Sequence, residues 1–254
     1  MSMKKITFIS LFVISLIIGG ICTSCSDDSD VTPDLYSVIA TLCRAENGTW
    51  FFKDDDGTTL LLSPSINFRE VYLGKRFYLE FSLVSRKKNT DYDLIVQLYH
   101  IEQVVVQSVL PISGQAQSDS VGHDPIDVYG MWASGTYINL MYGIYWEGHR
   151  AHLINLVQNL SAVKDSMFGG HPVVCLELRH NGFSEAELHN YFGIMSFDYS
   201  NLMPPFQGSD SVRFSVKYKD YMGEEKVTNI MTPVVSLPQE NAPTQLFRAS
   251  KRFH

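Results

Sequence analysis

The sequence lacks the short patterns that mark many enzymes. It has no HExxH zinc-binding pattern, no GxSxG nucleophile pattern and no glycine-rich loop for phosphate. Each pattern places particular chemical groups at a fixed spacing, so their absence argues against zinc peptidases, α/β-type serine hydrolases and P-loop nucleotide-binding proteins. We predict no catalytic residue and expect no cofactor.

Positive charge is scarce. The chain has 20 Lys and Arg residues against 27 Asp and Glu residues, a net charge of −7 that becomes −9 when Lys4 and Lys5 are removed. Nucleic-acid binding depends on neutralising phosphates with basic side chains. We therefore expect no nucleic-acid partner.

Metal-ligand spacing is missing as well once residues 1–24, with Cys22, are set aside as a leader. Cys43 and Cys175 lie far apart, each inside an apolar run, and form no CxxC pair. They are expected as free core thiols, with a disulfide of an exported protein as the alternative. His149 and His152 are three apart, so in a strand they face opposite sides and cannot chelate as a pair. No metal site is predicted.

The chain has one long apolar run near its start, residues 6–21, which follows Lys4 and Lys5. Cys22, Cys25 and the acidic tract of residues 26–30 come next. A positive start, an apolar middle and small residues before a cut are typical of a secretory signal, predicted here over residues 1–24. A retained membrane anchor is the alternative, although the run is shorter than the about 20 residues of a spanning helix.

The end of this leader resembles the lipobox of bacterial lipoproteins, in which a small residue precedes an acylated cysteine. Ser24 before Cys25 is small, whereas Ile21 before Cys22 is β-branched, so Cys25 is the predicted lipidation site and Cys22 the alternative. The Ser-Asp-Asp that follows resembles the tract that directs lipoproteins of the Bacteroidetes to the cell surface. The resemblance implies an outer-membrane protein that is exposed at the cell surface and anchored by acyl chains such as palmitate on its lipidated cysteine. Residues 25–34 would then form an acidic tether. A soluble secreted protein is the alternative.

Residues 35–112 read as strands without a convincing helix. Arg76–Val84 alternates, with Phe77, Leu79, Phe81 and Leu83 on the apolar side and Arg76, Tyr78, Glu80 and Ser82 on the other. Asp54-Asp55-Asp56-Gly57 separates two strands and predicts a solvated hairpin turn. The other predicted strands are Leu35–Leu42, Thr49–Lys53, Thr58–Leu62, Leu94–Leu98 and Val104–Leu110. This pattern fits a closed barrel or a small sandwich.

The segment Pro111–Ser120 is rich in Gly, Ser and Gln and is predicted as a boundary. Strands follow at Tyr137–Ile144, Ala151–Val157, Val173–His180, Phe192–Tyr199 and Val212–Tyr218. Their regular spacing predicts an antiparallel β-sandwich over residues 113–232. A helical turn is predicted at Ser184–Leu188 from its capping-box spacing, and residues 233–254 are predicted as a flexible tail.

The chain resembles the NigD-like lipoproteins. The matching pieces include SVIATL, WFFKDDDGTTL, the long DSVGHDPIDVYGMWASGTYINLMYGIYWEGHRAHLINLV, VCLELRHN, FGIMSFDY and VRFSVKYKDYMGEEKV. The resemblance implies an all-β protein, with an N-terminal OB-like barrel followed by a C-terminal antiparallel β-sandwich. The family takes its name from a bacteriocin operon, in which a role in immunity was suggested. OB barrels bind several ligand classes, so fold alone does not settle function.

Two places are candidates for ligand contact. Tyr145 and Trp146 sit at a predicted hairpin end, where exposed aromatics stack on sugars or anchor proteins, although packing is the commoner role of aromatics. Arg179 and His180 end a strand. One interpretation is that they present a polar cluster at the sandwich rim; the other is that His180 closes the inner face while Asn181-Gly182 supplies positive φ.

These observations predict a surface lipoprotein that is not an enzyme and binds a protein or a glycan, with bacteriocin immunity as one specific role. The alternative is a glycan-processing hydrolase of the cell envelope. A hydrolase of this kind needs two carboxylates about 5–10 Å apart across a cleft.

Overall fold

A computed structural model describes residues 33–86, 91–161, 166–186, 188–202, 209–234 and 247–248. The described residues from Asp34 onwards form one compact unit. The leader, with Cys22 and Cys25, and most of the predicted tail lie outside the described residues. The strands are β1 Leu35–Arg44, β2 Trp50–Asp54, β3 Thr59–Leu62, β4 Arg76–Arg86, β5 Leu94–Gln103, β6 Val105–Ser108, β7 Leu110–Ile112, β8 Asp127–Ser134, β9 Tyr137–Trp146, β10 Leu153–Asn159, β11 Ser166–Phe168, β12 His171–Asn181, β13 His189–Asp198, β14 Ser211–Lys219, β15 Glu225–Pro233 and β16 Phe247–Arg248. Short helical segments span Glu70–Tyr72, Gln115–Ser120 (α1) and Ser200–Leu202.

The first five strands close into a barrel. Their order is β1-β2-β3-β5-β4, and β4 pairs back onto β1; the β3–β5 pair is parallel and the others are antiparallel. Phe52, Leu60, Leu79, Phe81 and Val96 are fully buried at its centre. The predicted OB-like barrel is confirmed.

Two further sheets form the sandwich. One sheet has the order β15-β14-β12-β10-β7, with β11 beside β12, and the other has the order β6-β13-β9-β8. Ile138 and Leu140 of β9 face Leu156, Leu176 and Phe214 in the core between the sheets. The predicted all-β fold is confirmed. The sheets are mixed, however, because the pairs β6–β13, β7–β10 and β12–β14 are parallel.

The barrel ends earlier in the chain than the sequence predicts. Residues 105–112, predicted to belong to the barrel, form β6 and β7, which pair with β13 and β10 of the sandwich. The predicted linker contains α1, and Val121 after it packs on Ile112 and Val157. These pairings join segments that are distant in the sequence, so the local sequence pattern does not predict them.

The predicted helical turn at Ser184–Leu188 is wrong for the described residues. Phe183 and Ser184 take positive φ values of 55° and 61° in a turn, and residue 187 is not described. Gly182 is not among the residues with positive φ, so the positive φ expected at Asn181-Gly182 occurs one residue later.

The barrel packs on the outer face of the β6-β13-β9-β8 sheet. Ile39 and Tyr78 of the barrel cluster with Val104 and Ile194, and Trp132 and Met141 pack against them. This contact explains why Arg76 and Tyr78, on the predicted polar side of β4, are buried. The barrel covers the residues near Asn139 and Met141, whereas Tyr129 and Phe192, further along the same face, remain exposed.

The hairpin turn after β2 belongs to the same interface. Gly57 has φ of 90°, and Asp54 Oδ1 accepts hydrogen bonds from the backbone N–H groups of Asp56 and Thr58, as the turn prediction requires. The predicted solvated tip is wrong for Asp54 and Asp55, because the Asp54 side chain is buried and Asp55 is paired with buried Arg76.

Of the tail, β16 pairs with Tyr36 and Ser37 at the start of β1. Among the described residues, no helix has the length and apolar character needed to cross a membrane.

Candidate functional site

Tyr145 and Trp146 lie at one end of the sandwich, where β9 finishes. The Tyr145 ring meets the Tyr221 ring edge-on at a centroid distance of 4.8 Å, and its backbone N–H donates to Tyr221 Oη at 2.9 Å. Trp146 packs edge-on against Tyr191 at 5.6 Å, and its Nε1–H donates to the Arg150 carbonyl at 2.7 Å. We call these aromatics, together with His152, the sandwich tip. Both predicted residues are half-buried and held in fixed orientations.

Exposed aromatic side chains extend from the tip along the neighbouring strands. Tyr191 is 41% exposed, Phe192 is 47% exposed and Tyr129 is 55% exposed. Tyr129 crosses over Gly143 and stacks on Phe192 with an interplanar angle of 21°. A Cβ at position 143 would lie 2.4 Å from Tyr129 Oη and would displace the ring from this stacked position. Exposed aromatics on an ordered scaffold are typical of contact surfaces.

His180 is buried next to the tip, where it contacts His152. Its Nδ1 lies 2.7 Å from the Pro125 carbonyl oxygen and its Nε2 lies 2.9 Å from His152 Nδ1. A carbonyl only accepts, so His180 Nδ1 carries the hydrogen and His180 Nε2 accepts one from His152. Burial lowers the pKa of His180, and the nearby His152 lowers it further. His180 is therefore a neutral residue that supports the tip from within.

Beyond His152 lies an acidic group. His152 Nε2 and Glu185 Oε2 are 3.6 Å apart, and both atoms are buried without a hydrogen-bond partner among the described residues. The two histidines and Glu185 thus connect the tip to the turn of residues 182–185. Arg150 covers this turn, with its guanidinium 3.4 Å from the centre of the Phe183 ring.

Arg179 points away from the tip although it precedes His180. It is buried, and it donates to the Gly122 carbonyl at 2.8 Å and to the Ser118 carbonyl at 3.1 Å. It also pairs with Glu177 and lies 2.6 Å from His123 Nε2. These bonds fasten α1 and the loop after it to β12. The structure thus brings Tyr145, Trp146 and His180 together and leaves Arg179 on the opposite face of its strand.

Metal-binding and redox chemistry have little support among the described residues. They contain no group of three His, Cys, Asp or Glu side chains arranged for a metal ion. Cys43 is half-buried and Cys175 is exposed, and both are free, so the expectation of a buried thiol is wrong for Cys175. Burial raises the pKa of the Cys43 thiol, which makes it less reactive.

One pair of carboxylates stands near the tip. Burial raises the pKa of Asp127 and the charge of Asp220 raises it further, whereas hydrogen bonds to the Glu224 backbone lower the pKa of Asp220. Opposite shifts are expected of an acid–base pair. Asp220 also accepts the backbone hydrogen bond of Met222 and pairs with Lys226, as a hairpin-turn residue does.

The fold and the tip define a two-part β protein, an OB-like barrel fused to a sandwich with an aromatic end. Residues 108–232 match the family model of the NigD-like C-terminal beta sandwich domain. The resemblance to the NigD-like proteins is confirmed. No curated protein matches the chain significantly.

Solved structures share the fold. A protein of unknown function from Bacteroides vulgatus has 20% identity and a TM-score of 0.65, covering 82% of this chain and 96% of its own. A NigD-like immunity protein from Bacteroides caccae has 17% identity and a TM-score of 0.54, covering 78% and 92%. A candidate lipoprotein from Bacteroides fragilis has 15% identity and a TM-score of 0.54, covering 78% and 97%. At these identities the likeness shows the fold alone.

Proposed function

We propose that the protein is a non-catalytic lipoprotein of the outer membrane, anchored through Cys25, with Cys22 as the alternative site. The leader and its acidic tract support this proposal, as does the candidate lipoprotein among the structures with the same fold. Residues 25–34 then form a tether between the lipid and the barrel. Several acyl chains on one residue give stable anchoring, whereas one chain alone is marginal.

The function that the site supports best is binding of a partner protein through the sandwich tip. The carrying observation is the cluster of Trp146, Tyr191, Phe192 and Tyr129, whose rings are partly exposed on an ordered scaffold. Aromatic residues dominate the energetic centres of protein interfaces. Immunity against a protein toxin is the specific role that we propose, supported by the immunity protein of the same fold.

A deletion strain tests this role. Cells without the gene are exposed to bacteriocins secreted by the same species, and sensitivity is measured as survival. Complementation with the parent gene is expected to restore survival, whereas a Tyr145→Ala/Trp146→Ala gene is not. A Val227→Ala gene is the control, because Val227 is 56% exposed on β15, in the other sheet. Equal protection by the double variant and the parent would contradict the site.

Glycan binding is the second candidate, and the stack of Tyr129 on Phe192 favours it, since aromatic faces pack on sugars. A glycan array separates the two candidates. Saturable binding that Phe192→Ala abolishes would favour a glycan ligand, and an empty array would leave the protein partner as the proposal.

An envelope glycan hydrolase remains the alternative of a different class, and its candidate pair is Asp127 and Asp220. Hydrolysis of envelope glycans by the parent, lost in both Asp127→Asn and Asp220→Asn, would establish it. Activity is expected in neither the parent nor the variants, because Asp220 is engaged in its hairpin turn.

A further inference from the structure

The edge of the β6-β13-β9-β8 sheet is open beside the tip. β13 pairs with β9 along its whole length, from His189 to Asp198, but β6 pairs only with residues 195–198 on the other side. In the described part of the chain no strand lies beside His189–Phe192, and these four residues are exposed. An open strand edge presents unpaired backbone donors and acceptors to another chain.

Other edges of the sandwich carry features that discourage pairing. β15 has Lys226 and Pro233, β8 has a bulge between Val128 and Gly130, and β7 contains Pro111. Such features are the usual means of blocking edge-to-edge association. His189–Phe192 contains no proline, no lysine and no bulge.

Aromatic side chains flank the open edge on both faces. Tyr191 lies opposite Ile144, on the inner side of the sheet, and contacts Trp146. Phe192 lies opposite Gly143, on the outer side, and stacks on Tyr129. Because side chains alternate along a strand, an added strand would place apolar groups against both pairs.

One acidic side chain, that of Glu102, lies near the Gly193 end of the open edge. The ring of Tyr142, on β9, packs over Gly193 of β13. The pKa of Tyr142 is raised first by burial and then by Tyr191 and the Glu102 carboxylate. The side chain of Glu102 is 41% exposed. The chain as a whole carries a net charge of −7. A partner segment with Lys or Arg is complementary to this end of the edge.

We propose that His189–Phe192 binds an extended segment of a basic partner protein as an added β-strand, with apolar side chains alternating between its faces and a Lys or Arg beside Glu102. This inference rests on the proposed protein-binding function and specifies how the partner is recognised.

A phage-displayed library of random linear peptides tests it. The bait is soluble protein of residues 33–254, which contains the compact unit. Selected peptides are expected to alternate apolar residues and to carry Lys or Arg. Their binding is measured by fluorescence anisotropy, and hydrogen exchange at residues 189–193 is expected to slow when they bind.

The diagnostic variant is Tyr191→Lys, which places a charge on the edge. We expect about tenfold or greater weakening of peptide binding, the loss typical of an interface aromatic. Val227→Lys, on the exposed edge of β15, is the matched control and should bind as the parent does. Thermal unfolding checks that both variants fold. If Tyr191→Lys does not fold, Phe192→Ser takes its place.

Three outcomes would overturn the inference. One is that no peptide is enriched over bait-free beads. Another is that peptides bind equally to Tyr191→Lys and leave exchange at residues 189–193 unchanged. The third is a concentration-dependent doubling of mass that Tyr191→Lys abolishes, which would assign the edge to a second copy. None of them affects the deletion-strain result, so failure of strand addition is distinguishable from failure of protein binding.

Discussion

Asp55 and Arg76 form a buried ion pair at the junction of the barrel and the sandwich. Two contacts join them, one of them Arg76 Nη2 to Asp55 Oδ2 at 2.9 Å, and their side chains are 9% and 3% exposed. Ser134, Asn139 and Ser196 of the sandwich bond to the same pair. The guanidinium also lies 3.8 Å from the centre of the Tyr137 ring. One hairpin tip is thereby fixed to the outer face of the neighbouring sheet.

Removing one partner of this pair should be costly. Asp55→Ala leaves Arg76 buried without its counter-charge, and we expect a loss of about 3–5 kcal/mol in the free energy of unfolding. Urea denaturation measures it. Glu70→Ala is the control, because the exposed Arg44–Glu70 pair should contribute only about 0–1 kcal/mol. Equal losses in the two variants would show that the buried pair is not structural.

Gly193 is predicted to be intolerant of a side chain. A Cβ there would lie 2.5 Å from Cζ and Oη of Tyr142, which is only 8% exposed. Gly193→Ala should therefore destabilise the protein by about 1–3 kcal/mol, as overpacking of a core does. Gly143→Ala is the matched control on the neighbouring strand, because it meets exposed Tyr129, which can swing into solvent. The prediction fails if the two alanine variants unfold at the same urea concentration.

His180 should make stability depend on pH. Burial lowers its pKa in the folded state, so below the ordinary value of about 6.5 the unfolded chain takes up a proton that the folded protein does not. The contribution of neutral His180 to the free energy of unfolding is complete above about pH 6.5. As the pH falls towards the folded-state pKa, the free energy of unfolding decreases by up to about 1.4 kcal/mol per pH unit.

Urea denaturation across this range measures the effect. His180→Gln should flatten the profile relative to the parent, whereas His149→Gln, whose imidazole is 76% exposed, should preserve it. If His180→Gln does not fold, NMR titration of the parent should find that the pKa of the His180 ring lies below its ordinary value, because the ring is buried. A ring that protonates at the ordinary pKa would refute the assignment.

Anchoring is predicted to depend on one cysteine. Cys25→Ala should release the protein from the membrane fraction, and Cys22→Ala should leave it bound, since Ser24 before Cys25 suits the lipobox. Protease treatment of intact cells, followed by blotting, reports surface exposure. Retention of Cys25→Ala together with loss of Cys22→Ala would move the lipid to the alternative site.

The alternation of side chains predicted most of the strands and the all-β fold, although β8 and β15 were not predicted. Ile138, Leu140, Val174, Leu176 and Leu178 are buried as their period of two requires. The assignment of residues 105–112 to the barrel failed because β6 and β7 make parallel pairs with segments far along the chain. Long-range pairing of this kind leaves no local trace.

The candidate site was only partly visible in the sequence. Tyr145 and Trp146 stood out through their crowding, but Tyr191 and Phe192 join them through the β9–β13 register, which sequence spacing does not encode. Arg76 looked like a solvent-facing residue of an amphipathic strand. It is buried because the sandwich covers the outer face of this barrel strand. The periodicity of a single strand does not predict such a contact.

The contact surface can be located in living cells without knowing the partner. A photo-cross-linking amino acid is placed at Trp146 or Tyr191 of the tip, and at Val227 or Met231 of β15 as exposed controls. A protein adduct at the tip positions and none at the controls is the predicted result. Adducts confined to the β15 positions, or none at any position in cells that retain immunity, would contradict the claim that the sandwich tip binds the partner.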